Sequence, residues 1–300
     1  MRHARAVIRS RARTHLRGLA GACALACTLV SAVACAPAAR APRPAPTAAA
    51  PPAHDPLEAP WTMARGTGPC ANTLRFTSEL VSRVDSVQRH DSSHAVVVVA
   101  WSRPPLGGPA RLSGLVRDFR VGEGSGDLRP LPALRLPVPF AALGGDGGEV
   151  PRIEVPPSGA CGLAAAALQP LRELFVSPPP SVEVGTAWSD SSNYTLCRDS
   201  IPLAVTSVRR YRVVGAERRA TGVVVLIDRS SRVTLFGEGA QFGERLSLAG
   251  EGAGTMRLAL DPASSTVVAG HGDTELRLTM RGRRRSQDLR QHTRIEITSP

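Results

Sequence analysis

The chain of 300 residues carries 37 basic and 25 acidic side chains, every basic one an arginine, which gives a formal net charge of +12. The apolar fraction of 42% is too high for a disordered chain, and six cysteines are too few for a disulfide-stapled miniprotein. The charge invites a nucleic-acid-binding interpretation, but only 4% of the residues are aromatic, and the absence of lysine indicates a coding bias toward arginine.

The N-terminus has the pattern of an export signal. Residues 1–17 contain six arginines and no acid, and residues 19–34 form an unbroken run of small and apolar residues. This order, with small residues at the end of the run, is typical of a secretory signal peptide. The run is shorter than the roughly 20 residues that a membrane-spanning helix needs. We therefore expect residues 1–34 to be removed, which lowers the net charge of the remaining chain to +6.

The apolar run ends in Ala32-Val33-Ala34-Cys35, which resembles the lipobox of bacterial lipoproteins, although Ala32 stands where Leu is usual. In that family the cysteine is diacylated and becomes the new N-terminus after cleavage. The resemblance implies that a lipidated Cys35 anchors the protein in a membrane, because two acyl chains hold a protein stably where one is marginal. The alternative is an ordinary secretory signal cut near Cys35, which would leave a soluble protein.

Residues 36–60 are predicted to be a disordered tether. Eighteen of these 25 residues are Ala or Pro, so the segment has no periodic apolar face and favours extended chain. All tryptophans, tyrosines and phenylalanines lie from Trp61 onward. We therefore expect a lipidated Cys35 with its tether over residues 35–60, followed by a single β-rich domain over residues 61–300.

The first part of the domain predicts strands. Alternating apolar residues indicate strands at Leu74–Leu80, Ala95–Trp101 and Arg111–Val121, with a turn at Asp91–Ser93. The proline-containing segment Leu134–Phe140 is typical of extended chain at a sheet edge.

His90 and His94 lie on either side of the first predicted turn, and two histidines at this spacing are one pattern of a metal site. Two histidines four residues apart converge on a helix, but they need not converge at a hairpin tip, and no Cys or Glu lies nearby. His271-Gly272-Asp273 is more simply a turn. We expect no metal and no cofactor.

One helical segment is predicted near residues 160–176. Ala164–Ala167 favours a helix, and Leu163, Leu168, Leu171 and Phe175 fall roughly on one side of it. Pro170 is expected to kink this helix or to divide it in two.

The remaining chain predicts closely spaced strands with short turns between them. Such a pattern, without alternating helices, indicates a mainly β (α+β) fold with a curved antiparallel sheet or half-barrel. The glycine pairs Gly237/Gly239 and Gly250/Gly252 are interpreted as a hairpin or as kinks where the sheet bends. The predicted strands are Val182–Val184, Thr186–Leu196, Leu203–Val214, Gly222–Asp228, Arg232–Gly237, Arg245–Gly250, Thr255–Leu260, Thr266–Ala269, Glu275–Arg281 and Gln291–Ile297.

The densest charge cluster outside the signal consists of Arg281, Arg283, Arg284 and Arg285. It lies between two predicted strands, so a solvated hairpin tip is the simpler interpretation. The alternative is contact with an anionic lipid headgroup or an acidic glycan. No aromatic residues accompany these arginines, and we expect no nucleic-acid partner.

With Cys35 lipidated, Cys70, Cys161 and Cys197 remain, which make one disulfide and one free thiol in an oxidising compartment. We favour a Cys161–Cys197 disulfide, and Cys70 is the alternative partner. The sequence contains no Gly-x-Ser-x-Gly and no His-Glu-x-x-His motif. We therefore expect a protein that is not an enzyme.

Three stretches, Val184–Asp190, Cys197–Pro202 and Tyr211–Val213, resemble uncharacterised bacterial lipoproteins. In these a Gly-x-x-Trp-x-Asp motif opens a C-terminal run of antiparallel strands. The upstream Leu136–Phe140 also looks like that pattern. More distantly, strands and a helix behind a lipid anchor look like the half-barrel carriers of the LolA and LppX type, which implies a fold analogy and no particular ligand.

Two functional hypotheses follow. The first is a lipid-anchored, non-catalytic structural or interaction module of the bacterial cell envelope. Its partners would be the membrane and an envelope protein, and Ala36 after Cys35 favours the outer membrane, facing the periplasm. The second is a periplasmic carrier or sensor that binds a lipid or other apolar ligand inside the curved sheet. Alternating apolar residues serve a filled core and a pocket equally well, so the sequence leaves both open.

Overall fold

In the computed structural model we describe residues 57–64, 71–84, 86–102, 111–124, 126–132, 134, 136–143, 161, 170–198, 201–220, 222–241, 243–283 and 286–299. All belong to one structural unit, Pro52–Pro300. The predicted signal, Cys35 and the tether up to residue 56 lie outside the described residues.

The described chain is almost entirely β, and its one helix is a short 3-10 helix, η1, at Pro170–Leu174. Strands β1 and β7 form a separate two-stranded pair. The strands are β1 (Trp61–Thr62), β2 (Ala71–Val84), β3 (Val87–Ser102), β4 (Arg111–Glu123), β5 (Arg129–Pro130), β6 (Val138–Leu143), β7 (Ser181–Val182), β8 (Ala187–Arg198), β9 (Ile201–Arg219), β10 (Gly222–Gln241), β11 (Glu244–Asp261), β12 (Thr266–Gly282) and β13 (Ser286–Thr298).

The other eleven strands form one antiparallel sheet in the order β5-β4-β3-β2-β13-β12-β11-β10-β9-β8, with β6 also paired to β4. One face of the sheet is buried, and we call it the inner face. Strand β9 shows why: alternate residues from Ile201 to Val213 are buried, and the residues between them are exposed. This period of two is what places every second side chain on the same face of a strand.

The sheet is open and strongly curved. Strand β8 ends it on one side, and the strands beside β4 end it on the other. Residues of β2 and β8 nevertheless line a single cavity of about 390 Å³ on the inner face. In a flat sheet these strands, six positions apart, would be about 29 Å from each other, so the sheet must curl around the cavity. The predicted curved antiparallel sheet or half-barrel is confirmed.

Glycines permit this curvature on the inner face of β11. A Cβ atom added to Gly250 would lie 2.5 Å from the carbonyl oxygen of Arg277, and one added to Gly252 would lie 2.6 Å from that of Glu275. Real Cβ atoms do not approach a backbone oxygen so closely, so β11 and β12 could not bend toward each other if these residues carried side chains. The kink interpretation of the glycine pairs agrees with this geometry.

The inner face has two differently packed ends. At the first, which we call the filled end, η1 inserts Leu171 and Leu174 among buried residues of β2, β3, β9, β10 and β11, and Phe175 follows them. At the second, which we call the cavity end, a smaller cluster of buried residues lines the face, consisting of Ile201, Leu203, Val205, Leu235, Leu246, Leu248, Leu278 and Leu289. No helix among the described residues is long and apolar enough to cross a membrane.

Four predicted turns or breaks were wrong. Asp91–Ser93 lies within β3, residues 229–231 within β10, residues 251–254 within β11 and His271–Asp273 within β12. Their Gly, Ser and Asp residues favour turns locally, but each segment is hydrogen-bonded to strands on both sides, which overrides local preference.

The helix predicted near residues 160–176 is only partly described. Pro170–Leu174 form a single 3-10 turn that begins at the proline, residues 175 and 176 follow outside any helix, and residues 160 and 162–169 lie outside the described part of the chain. Within the predicted edge segment Leu134–Phe140, the last three residues belong to β6, which among the described strands pairs with β4 alone.

Candidate functional site

The cavity at the cavity end is the candidate functional site. Seven adjacent strands, from β2 through β13 to β8, and the helix η1 contribute to its wall. Its volume of about 390 Å³ falls in the range of small-molecule sites. Its apolar lining residues are Leu80, Leu196, Leu203, Val233, Leu235, Leu276, Leu278 and Ile295.

A second cavity adjoins the first along the inner face. It has a volume of about 720 Å³, and the two share Ser78 and Leu80 in their walls. Its lining is charged: Arg89 Nε lies 2.9 Å from Asp91 and 3.6 Å from Glu123. The inner face thus offers a mostly apolar cavity that continues into a polar one.

A buried ionic network lies where the filled end meets the first cavity. The Arg209 guanidinium donates from Nε to Asp190 Oδ1 at 2.7 Å and from Nη2 to Asp190 Oδ2 at 2.9 Å. The Tyr211 hydroxyl donates to the same Oδ2 at 2.9 Å. Both charged side chains are less than a tenth exposed. Removal of one partner of such a buried pair costs about 3–5 kcal/mol, because it leaves an unpaired charge.

Burial and charge shift the titration of this network. Burial by itself would lower the pKa of Arg209, but the hydrogen-bonded Asp190 carboxylate favours the charged guanidinium, and the pKa is raised overall. Burial raises the pKa of Tyr211 and that of Tyr194. The two phenols are therefore neutral and the arginine charged at physiological pH.

Helix η1 is attached to the sheet through the same network. Arg209 Nη1 donates to the carbonyl oxygen of Arg172 at 3.3 Å, and the Arg229 Nη2 atom forms an ion pair with Glu173 Oε2. The Arg172 side chain turns toward the cavity wall, where its guanidinium carbon lies 4.0 Å from the centre of the Tyr194 ring. Two strands of the sheet thereby fix the position of Arg172.

The Gly-x-x-Trp-x-Asp motif builds part of this network. Gly185 has a φ of +92°, which only glycine adopts readily, and it lies in the turn before β8. The Trp188 ring stacks on Tyr211 at a centroid distance of 5.0 Å, and Asp190 accepts the hydrogen bonds described above. The motif therefore has a structural role beside the cavity.

The structure joins Cys161 and Cys197 in a disulfide, with Cα atoms 4.9 Å apart, which is the pairing favoured by the sequence. Cys197 lies in the cavity wall. Cys35 and Cys70 lie outside the described residues.

Of the remaining predicted site residues, those that the structure describes do not line the cavity. Arg281 and Arg283 are exposed where β12 leads into β13, and Arg284 and Arg285 lie outside the described residues. His90 and His94 lie within β3 and not at a hairpin tip, so their Cα atoms are about 13 Å apart along the strand.

Sequence reasoning missed Arg209 and Arg229 as inner-face residues. The signal was present for Arg209, which occupies a position where the alternation of β9 calls for a buried side chain, whereas Arg229 falls in a predicted break between two strands. A charged residue at such a position is rare unless it has a partner, and it marks a buried network before the partner is known.

Comparisons with known proteins do not assign this chain to a family. No protein-family model matches the chain, and no curated protein shows significant similarity to it.

Proposed function

We propose that this protein is a lipid-anchored, non-catalytic carrier or sensor of the bacterial cell envelope, which binds an apolar ligand in the cavity on the inner face of its sheet. The observation that carries the proposal is the cavity itself, with eight apolar side chains in its wall. A structural module needs no such space, because its inner face could be packed throughout, as the filled end is. The cavity therefore favours the ligand-binding hypothesis over the structural one.

The rest of the proposal comes from the N-terminal sequence. The pattern of residues 1–34 and the resemblance of Ala32–Cys35 to a lipobox support export and a diacylated Cys35. The Gly-x-x-Trp-x-Asp motif supports kinship with the uncharacterised lipoproteins, and the half-barrel supports the analogy with LolA and LppX carriers. An anchored carrier would receive its ligand from a membrane or a partner and would hold it away from water.

Ligand binding is tested on a chain of residues 36–300, which keeps every described residue, and every described contact lies within its single structural unit. After delipidation, the protein is mixed with hexadecanol or palmitate and examined by native mass spectrometry. We expect a one-to-one adduct. A protein that takes up neither compound would contradict the proposal.

Matched variants locate the binding site. Thr293 lines the cavity and Thr234 is exposed on the opposite face of the sheet. We expect Thr293→Trp to fill the cavity and abolish the adduct, and Thr234→Trp to leave it unchanged. Thermal unfolding of both variants checks that they are folded. Equal binding by both variants would place the ligand elsewhere.

The anchor is tested separately by replacing Cys35 with Ala in the full chain. We expect the wild type to fractionate with membranes and to incorporate labelled palmitate, and the variant to do neither. Unchanged processing and fractionation would mean that Cys35 is not an anchor.

A further inference from the structure

We propose that Arg172 binds the anionic headgroup of the ligand, and that the ligand is therefore a single-chain amphiphile with a carboxylate or phosphate at one end. This inference rests on the proposed function, because it assigns a class of ligand to the same cavity.

Three arginines and two carboxylates meet at this place. Arg209 is paired with Asp190 and Arg229 with Glu173, and no carboxylate of the described residues forms an ion pair with Arg172. The buried tyrosines stay neutral, so they cannot balance the third arginine. Among the described residues one positive charge is therefore left uncompensated beside the mostly apolar cavity, where an isolated charge costs free energy.

The Arg172 side chain also has an unused donor. Its Nε atom is enclosed by protein and has no hydrogen-bond partner among the described residues, as is also true of Arg229 Nε and Nη1 beside it. Such orphaned donors are rare in folded proteins, and of the three arginines only Arg172 lies in the cavity wall. A bound anion would balance the charge of this guanidinium and would accept hydrogen bonds from those of its N–H groups that face the cavity, and both effects are strong where water is excluded.

The adjoining cavity does not suit an anion. Its wall holds three carboxylates, Asp91, Glu123 and Asp127, against two arginines, Arg89 and Arg129, and Arg89 already has two of the carboxylates as neighbours. This difference in charge between the two cavities orients the ligand. Its headgroup lies at Arg172, and its tail lies among the leucines of β9, β10 and β12. A volume of about 390 Å³ is at the low end for ligand sites, which favours one acyl chain over several.

The test compares probes that differ only in the headgroup: palmitate, hexadecyl phosphate and hexadecanol, each titrated into residues 36–300 at about pH 8, where a carboxylate is ionised. We expect the wild type to bind the anions about 10- to 100-fold more tightly than hexadecanol, the usual range for a charged hydrogen bond. The stronger of the two anions identifies the headgroup chemistry. Equal affinity for palmitate, hexadecyl phosphate and hexadecanol would overturn the inference and leave the proposed function intact, whereas no binding of any probe would overturn both.

Variants assign the effect to a residue. We expect Arg172→Met to weaken the binding of both anions far more than that of hexadecanol, and so to remove the preference for anions, and Arg172→Lys to retain part of the preference. Arg89→Met is the control in the adjoining cavity and should change neither affinity. A loss of anion preference in Arg198→Met, with Arg172→Met unaffected, would overturn the assignment, because Arg198 also lines the cavity.

Discussion

The filled end and the cavity end of the inner face are built from the same long strands. Strand β9 contributes Tyr211 and Val213 to the first and Leu203 and Val205 to the second, with unbroken alternation between them. Strand β11 does the same, with Leu258 and Leu260 at one end and Leu246 and Leu248 at the other. The apolar pattern of the strands is thus equivalent at the two ends.

The difference lies in what faces the strands. At the filled end η1 and the residues after it fill the space inside the curve of the sheet, with Leu171 and Phe175 at most 2% exposed. At the cavity end the inward-facing glycines carry no side chain and so leave space above the sheet. Of η1, only Arg172 and Glu173 line the wall. A half-barrel can therefore be a core at one end and a container at the other without any change in the strand pattern.

The strongest test of this contrast is a pair of truncations. Phe175→Ala at the filled end should lower the free energy of unfolding by about 3–5 kcal/mol, because it removes a fully buried aromatic ring. Leu276→Ala at the cavity end should cost only about 1 kcal/mol, because one side of Leu276 already faces empty space. Urea denaturation of both variants measures the difference. Similar losses would mean that the cavity end is packed as tightly as the filled end.

Loss of the disulfide should destabilise the cavity end more than the filled end. It closes a loop with a sequence separation of 36, for which chain entropy predicts a loss of about 3–4 kcal/mol when both cysteines are replaced by serine. Because Cys197 lies in the cavity wall, amide exchange should accelerate more in β8 than in β11. Cys70→Ser serves as the control. Unfolding curves that coincide with the wild type would refute this prediction.

The smallest effect concerns two glycines that differ in their surroundings. Gly252→Ala should destabilise by about 1–3 kcal/mol, because its Cβ meets the backbone of β12 on the inner face. Gly215→Ala, where a Cβ meets nothing within 4 Å, should stabilise by about 0.4–1 kcal/mol through the unfolded chain. Thermal unfolding distinguishes the loss of stability in one variant from the gain in the other. Equal shifts of the melting temperature would mean that the curvature of β11 does not depend on Gly252.

Strand pattern and composition were enough to predict the class of fold. The alternation from Leu203 to Val213 required one buried face, and the absence of alternating helices required an antiparallel sheet. Strand length was not predictable. The segments around Asp91, Ser230 and Gly252 carry turn residues, and only the pairing of long neighbours on both sides keeps them extended.

The candidate site was predictable in part. Arg209 at an inward position of β9 marks a buried network in the sequence itself, because alternation makes it an exception. The partners of Arg209 and Arg229 were not visible, since Asp190 and Glu173 lie 19 and 56 residues away in the chain. Sequence alone determined that this chain is a β protein with one apolar face. Tertiary structure alone decided where that face is filled and where it is hollow, because curvature and the placement of η1 depend on contacts between distant strands.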